Sequence, residues 1–173
     1  MSEWHMLTLV GADRPGIVAR VTEALFQAGA TLGEASMLRL GANFTIMMMV
    51  AGGDGGERME TVVGPVAQEL GLRIHLDPIA GGLHRHLAPN VQVRVHGADR
   101  PGIVAQVTGV LAQTGFNILE LESDVAGDTR SPVYLMNIQG YSEATLETLE
   151  AALQVLNQQG IEVDVCPIET LIG

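Results

Sequence analysis

The spacing of apolar positions changes in the same order twice along this chain. Short β-rich runs occupy residues 6–10 and 91–95, and the second alternates strictly between apolar and polar side chains, as strands do. After each run the apolar positions move to helical spacing. They fall at Ile17, Val18, Val21 and Leu25 in the first half and at Ile103, Val104, Val107 and Leu111 in the second. Each half is therefore predicted to begin with a strand, a tight loop and a helix.

The rest of the first half is predicted to continue as strand, strand, helix, strand. The two middle strands lie in the later part of 30–40 and at 44–50, and the unbroken apolar run at 44–50 is typical of a central strand buried on both faces. A helix at 57–70 follows a glycine-rich loop, and Pro65 is expected to kink or break it. Residues 72–76 alternate and form the last predicted strand.

The second half repeats this order with a longer turn. That turn is predicted at 127–132, and a helix capped by Ser142 is expected to run to about Gln159. The predicted strands are 118–125, 133–138 and 161–165. Each half thus has the order βαββαβ. This order predicts an α+β fold of two ferredoxin-like domains, each an antiparallel four-stranded sheet with two helices on one face.

The predicted domains span residues 1–82 and 88–173, and a linker at 83–87 joins them. Domains of this size bury little apolar surface for their length. We therefore expect the two halves to pair, either within the chain or across a homodimer.

The clearest sign of duplication is the nonapeptide GADRPGIVA. It spans residues 11–19 and recurs unchanged at 97–105, an offset close to half of the 173 residues. A repeat at this distance indicates two copies of one domain. Pro15 suits the first helical position, because a missing N–H group costs nothing there. Gly29 and Gly115 suit the position just after a helix end.

The repeated loop is also a candidate binding site. Gly16 and Ile17, and likewise Gly102 and Ile103, present backbone N–H groups at a helix start, where a carboxylate or phosphate binds readily. Asp13 and Asp99 are placed to meet an ammonium group. A second interpretation is that the loop is simply a good helix start with Asp as its cap. Arg14 and Arg100 can pair with neighbouring acids instead of ligand.

Charge argues against direct nucleic-acid binding. The net charge is −11, and all nine basic residues are Arg. Such a chain repels a phosphate backbone. Aromatic residues make up 3% of the chain, too few for a base-stacking surface. No recognisable catalytic set, cofactor motif or metal-ligand cluster appears, so we expect a protein that is not an enzyme.

Cys166 is the single cysteine and forms no internal disulfide, which fits a reducing compartment. We interpret it as a packed strand residue. His84 and His86 share a face in an extended segment, but no third metal ligand is near. Met47, Met48 and Met49 alternate between faces of a strand and are expected to pack in the core. With no signal segment and no long apolar run, a cytoplasmic protein without membrane contact is predicted.

The βαββαβ order with Asp13-Arg14-Pro15-Gly16-Ile17 after the first strand resembles the ACT domain, a family of small regulatory modules that bind amino acids. The second half matches through Asp99-Arg100-Pro101-Gly102-Ile103, and its Gly115-Phe116-Asn117-Ile118 fits the family's Gly-x-Asn-Ile. The first half departs there, with Gly29-Ala30-Thr31-Leu32. The resemblance implies that both loops and Asn117 contact an amino acid.

Two such domains in 173 residues resemble the glycine cleavage system transcriptional repressor family. That resemblance implies an accessory repressor that binds a transcriptional activator, with an affinity that depends on glycine or another small amino acid. The alternative is a regulatory subunit that docks on an enzyme of amino-acid metabolism.

Overall fold

A computed structural model describes residues 4–52, 56–79, 87–98, 101–128 and 131–168. The chain divides into two compact units, Met1–His84 and Arg85–Gly173. Most of the predicted linker at 83–87 lies outside the described residues, so the limits 1–82 and 88–173 stay a prediction. None of the helices in the described ranges is long and apolar enough to span a lipid bilayer.

Each unit has the predicted order βαββαβ. The first unit contains β1 (Trp4–Ala12), α1 (Ile17–Gln27), β2 (Thr31–Leu40), β3 (Asn43–Ala51), α2 (Gly56–Leu70) and β4 (Arg73–Ile79). The second contains β5 (Val91–Ala98), α3 (Ile103–Gln113), β6 (Asn117–Asp128), β7 (Ser131–Tyr141), α4 (Leu146–Asn157) and β8 (Ile161–Pro167). The sheet orders are β2-β3-β1-β4 and β6-β7-β5-β8, and every neighbouring pair is antiparallel. The predicted α+β, ferredoxin-like fold is confirmed.

One face of each sheet packs against the helices to form the core. On β1, Leu7 and Leu9 point inward and are fully buried, and the helical spacing of α1 turns Ile17, Val21 and Leu25 onto them. The second unit repeats this packing with Val93 and Val95 against Ile103, Val107 and Leu111. Since cutting such a buried leucine to alanine typically costs about 2–5 kcal/mol, this layer holds the unit together.

Glycines set both ends of the first helix of each unit. Gly16 is the N-cap of α1 with φ +88°, and Gly102 is the N-cap of α3 with φ +90°. Pro15 therefore precedes the cap, and its predicted place at the first helical position is wrong, because the positive φ of Gly16 delays helical geometry to Ile17. At the other end Gly29 has φ +72° and the Ala30 N–H donates to Leu25 O at 3.0 Å, which confirms the predicted helix end.

Three boundaries in the second unit differ from the predictions. The turn predicted at 127–132 is too long, because β6 runs to Asp128 and pairs there with Ser131 at the start of β7. Ser142 does not cap the helix, because its hydroxyl accepts from the Ala144 N–H at 3.1 Å. Thr145 caps α4 instead, through a bond from the Thr148 N–H. The helix then ends at Asn157, before Gln159.

Two expectations for the first unit also fail. The strand predicted to be buried on both faces has Met47 48% exposed, because the sheet face opposite the helices is largely uncovered there. Helix α2 continues through Pro65 from Gly56 to Leu70, so the expected break does not occur, and the alternative of a kink stays a prediction. In the second unit, β8 includes Cys166 as expected, and the cysteine is half-buried.

We expect Gly140→Ala to destabilise the second unit, whereas Gly109→Ala should not. A Cβ atom at Gly140 would lie 2.4 Å from the Asn117 carbonyl oxygen, so β7 would have to move. Overpacking of this kind costs about 1–3 kcal/mol. Gly109 lies in α3 with open space around it, so alanine there should add up to about 1 kcal/mol of helix stability. Urea unfolding midpoints measure both, and a Gly140→Ala midpoint equal to wild type would contradict the packing described for β7.

Candidate functional site

The repeated loop of the first unit lies between the end of β1 and the start of α1. The Asp13 N–H donates to Ala42 O at 2.9 Å, which ties the loop to the turn between β2 and β3. Gly16 then turns the chain with φ +88° into α1. These contacts fix the loop at the carboxyl end of β1, where the first turn of α1 begins.

The first turn of α1 has free backbone donors. The N-cap residue is Gly16, which has no side chain that could accept a hydrogen bond from the first helical N–H groups. The first hydrogen bond of the helix runs from the Arg20 N–H to Gly16 O, at 3.0 Å. The N–H groups of Ile17, Val18 and Ala19 therefore have no helical acceptor. Together with the helix dipole, they favour a negatively charged group at this position.

Asp13 is already paired in the first unit. Arg39, at the end of β2, places its Nε 2.7 Å from Asp13 Oδ2. The Asp13 side chain is 26% exposed and that of Arg39 is 62% exposed, so this bridge is open to solvent and weak. An incoming ammonium would have to compete with Arg39 for the carboxylate.

Arg14 has a structural contact. Its Nη2 donates to Leu70 O at 2.7 Å, at the carboxyl end of α2. This bond satisfies one of the carbonyls that a helix end leaves unpaired. Arg14 thus bonds to a backbone carbonyl and not to a neighbouring acid, as the alternative interpretation expected. The Arg14 guanidinium connects the loop to α2.

A shallow depression of about 310 Å³ opens beside this loop. Such a volume is at the lower limit of small-molecule sites. It is lined by Asp13, Arg14, Gly16, Ile17, Val18, Ala19, Met37 and Phe44. The depression thus brings together the free helix donors, one carboxylate and two apolar side chains from the neighbouring strands.

The second unit has the same helix start as the first, but the strand residue beside the loop is different. Gly102 has φ +90°, and Pro101 precedes this cap as Pro15 precedes Gly16. The first hydrogen bond of α3 runs from the Gln106 N–H to Gly102 O at 2.9 Å. Asp99 and Arg100 lie outside the described residues. Val125 pairs with Tyr134 as Arg39 pairs with Phe44 in the first unit. The second loop therefore has an apolar residue where the first has an arginine.

Asn117 is not brought to the Gly102 loop within its own unit. It is the first residue of β6 and follows the carboxyl end of α3, whereas Gly102 stands at the amino end. The eleven residues of α3 separate them by about 16 Å. One small molecule cannot touch both in a single unit, so the two parts of the predicted site do not form one pocket there.

Sequence reasoning missed Arg39, Met37 and Phe44. The signal was present in the short turn between β2 and β3, since strands joined by a tight turn pair residue by residue. In that register Arg39 lies opposite Phe44, and Phe44 lies opposite Gly11. This register places Arg39 beside the loop.

A larger depression of about 400 Å³ lies between α4 and β8. Glu147, Glu150 and Asp164 line it, and their charge disfavours the carboxylate of an amino acid. Among the described residues no three His, Cys, Asp or Glu side chains come together as a metal site, and the segment with His84 and His86 is not among them. The smaller depression at the loop is therefore the better candidate.

Both halves of the chain match the ACT-domain family, over residues 5–77 and 91–158. The chain is similar to the glycine cleavage system transcriptional repressor of Escherichia coli (strain K12), with 28% identity over 171 residues, 92% of this chain and 90% of that protein. A UPF0237 protein of Methanococcus maripaludis is 38% identical over 77 residues, 44% of this chain and 84% of that protein.

Solved structures share the fold over nearly the whole chain. A protein of unknown function from Galdieria sulphuraria superposes with a TM-score of 0.77 at 24% identity, covering 98% of this chain and 100% of that one. A second structure, provisionally assigned as a glycine cleavage system transcriptional repressor, gives 0.76 at 22% identity, covering 98% and 99%. At these identities the likeness shows the common fold of two βαββαβ units.

We expect Cys166 to be a slow nucleophile. Its Sγ donates to Asp164 Oδ2 at 3.1 Å, and this hydrogen bond, aided by partial burial, raises the pKa of the thiol above its usual range. A raised pKa lowers the thiolate fraction at neutral pH. Asp164→Asn should lower that pKa and speed alkylation by iodoacetamide severalfold. Glu162→Gln, which removes a carboxylate from the same strand, is the matched control and should react at the wild-type rate. Equal rates in all three proteins would contradict this role of Asp164.

Proposed function

Because the chain belongs to the ACT-domain family, with one such domain in each half, we propose that it is an amino-acid-sensing regulator. It acts as an accessory transcriptional repressor through a protein partner, with glycine or another small amino acid as effector. The observation that carries the proposal is the loop of the first unit, which leaves free helix donors beside the Asp13 carboxylate and whose sequence recurs unchanged in the second unit. Similarity to the E. coli repressor over 92% of this chain supports the choice of regulator.

The loop fits the two charges of a free amino acid. The α-carboxylate binds the N–H groups of the first helical turn, Ile17 to Ala19 or Ile103 to Ala105, with support from the helix dipole. The ammonium group binds the carboxylate of Asp13 or Asp99. Side chains such as Phe44 limit the room for the rest of the ligand, which favours a small amino acid.

The two loops are expected to bind unequally. In the first, Arg39 Nε lies 2.7 Å from Asp13 Oδ2, so the ammonium group must displace the Arg39 guanidinium from the carboxylate. In the second, Val125 stands at the corresponding position, and the β6 sequence contains no basic residue. We therefore propose the second loop as the stronger site.

The repressor role requires a partner that contacts DNA. The net charge of −11 repels a phosphate backbone, which argues that this chain does not bind the operator itself. A DNA-binding activator is the partner that suits such a chain. The effector would change the strength of that protein contact.

The first test is a thermal-shift screen against the twenty amino acids, followed by calorimetric titration of the best ligand. We expect Asp99→Asn to weaken binding about tenfold to a hundredfold, the value of one charge-assisted hydrogen bond of about 1.5–3 kcal/mol. Asp13→Asn should have a smaller effect, because Arg39 already engages that carboxylate. Substitution of Gly16 or Gly102 is less informative, since their positive φ makes any side chain a strain on the helix start.

Glu122→Gln is the matched control, because it removes an exposed carboxylate from β6 outside the site. Arg39→Val copies the second loop into the first and should strengthen binding there, visible at the Gly16 amide resonance in NMR titration. If wild type, Asp13→Asn and Asp99→Asn bind the ligand equally, the loop is a helix start and no more.

We further expect the protein alone to show no salt-sensitive binding to promoter DNA in a mobility-shift assay, because of its negative charge. Affinity purification with and without glycine should recover a DNA-binding activator, in an amount that changes with glycine. Recovery of a metabolic enzyme in its place would contradict the repressor role and favour a regulatory subunit. Tight binding of the purified protein to DNA would contradict it as well.

A further inference from the structure

Strand β8 is one edge of the second sheet, and β5 is its neighbour. In an antiparallel ladder the backbone groups of successive residues point alternately toward the partner strand and away from it. The Ile168 N–H donates to Asn90 O at 2.9 Å, so the backbone groups of the even-numbered residues of β8 point toward β5. Those of Val163 and Val165 point away, and no described residue bonds to their N–H groups. This side of β8 is therefore a free strand edge.

A groove of about 400 Å³ lies beside this edge, between α4 and β8. It is on the side of the sheet that carries the helices, where Val163 and Leu153 line it. Glu147 and Glu150 of α4 line it as well. Because the side chains of a strand alternate between the two sides of a sheet, a strand added to β8 would place every second side chain in this groove.

The side of the sheet away from the helices, here called the outer side, is acidic too. Strand alternation puts Glu162 and Asp164 there. These two and the two groove glutamates have no ion pair with any described residue. Arg94 and His96 of β5 lie opposite Asp164 and Glu162 in the register, and Arg94 Nη2 donates to Gln92 Oε1 at 2.9 Å. The edge thus has carboxylates on both of its sides that no basic side chain neutralises.

The acidic edge is not required by the fold. In the first unit, β4 pairs with β1 as β8 pairs with β5 in the second. The register places Arg73 and His75 of β4 at the positions that Glu162 and Asp164 have on β8. The charge of this edge is therefore a property of the second unit alone.

Strand β6, the opposite edge of the second sheet, is less suited to an added strand. Its outer side is acidic through residues such as Glu122, but its register shifts between Ile118 and Glu120. Irregularities of this kind protect a sheet edge from pairing. Its other side is apolar, with Leu121 38% and Val125 51% exposed. Of the two edges, only β8 combines a regular ladder with carboxylates on both sides.

We propose that β8 binds an extended, basic segment of a partner protein, which adds to the second sheet as a further strand. The backbone of the segment pairs with Val163 and Val165, and its lysine or arginine side chains lie beside Glu162 and Asp164. Charge selects this occupant over a second copy of the chain. Two β8 edges paired around Val163 would set Glu162 of each copy against Asp164 of the other, and like charges directly opposite destabilise a sheet.

DNA-binding proteins carry basic segments of this kind, because lysine and arginine neutralise the phosphates. Only this source of the segment rests on the proposed function, in which the partner contacts DNA. A segment paired with β8 is not available to DNA, so the two contacts exclude each other. The edge itself is tested with peptides, without the partner.

The test of charge is fluorescence anisotropy of the full chain with a fluorescein-labelled peptide in which arginine alternates with valine. We expect saturable binding that weakens as salt is raised. Glu162→Lys and Asp164→Lys should each weaken it at least about tenfold, because each places a positive charge beside the arginines. A peptide in which glutamate replaces arginine should not bind.

Glu122→Lys is the matched control, because it makes the same charge change in the row of Asp164 but on β6. Three strand spacings, about 14 Å, separate the two residues, whereas the Debye length at 0.15 M salt is about 8 Å. This variant should bind the peptide as wild type does. A loss equal to that of Glu162→Lys overturns the choice of β8, and so does wild-type affinity in Glu162→Lys and Asp164→Lys.

Backbone pairing is tested by Val163→Pro, which removes an N–H group that the ladder with β5 does not use. The variant should stay folded by circular dichroism and lose the peptide. Two further peptides, N-methylated at every valine or at every arginine, test the same point with the unchanged protein. Only one of them should bind, because one set of N–H groups points toward β8 and the other set points away.

Equal binding of the two methylated peptides overturns strand pairing and leaves only attraction between charges. Absence of binding by the unmethylated arginine peptide overturns the inference as a whole. These titrations contain no amino acid effector and no activator, so their failure leaves the proposed sensing function standing. Failure of that function appears instead in the thermal-shift screen and the affinity purification.

Discussion

The positive φ of one glycine sets the arrangement of each unit. At Gly16 and Gly102 the chain leaves the first strand and enters the first helix through a left-handed conformation, with φ +88° and +90°, that side chains with a Cβ atom avoid. This turn aims the helix back across the sheet, so that every fourth residue from Ile17 reaches the buried face of β1. Because glycine has no side chain to cap the helix, the same residue leaves the first N–H groups unpaired.

A single constraint thus connects the stability of the core with the exposure of the helix start. The core requires the helix to cross the sheet at this point, and the crossing exposes the end of the helix beside the turn between β2 and β3. Contacts around it fix the loop from two directions, through Asp13 to Ala42 and through Arg14 to Leu70. The candidate binding groups of the first unit are held by a backbone bond and by a helix end, so the loop is ordered without a ligand.

Duplication preserved the core and the loop but not the surfaces around them. Val125 replaces Arg39 beside the loop, and Asn137 replaces Met47 on the sheet face that points away from the helices. Buried positions tolerate little change because a misfit there costs several kcal/mol, whereas an exposed position can exchange charge for apolar surface at small cost. Two units with one fold therefore present different surfaces around the same loop.

The sequence by itself determined the duplication, the order βαββαβ, the core positions of α1 and α3 and the glycines after their carboxyl ends. These follow from spacing and from backbone geometry, which act over a few residues. The tertiary structure alone decided that Arg39 occupies Asp13, that Arg14 bonds to Leu70 and that Asn117 stands at the far end of α3 from Gly102. It also decided which strand faces stay uncovered. Such relations join residues that are distant in the chain, and they depend on strand register and helix length, which a local pattern of apolar and polar residues does not specify.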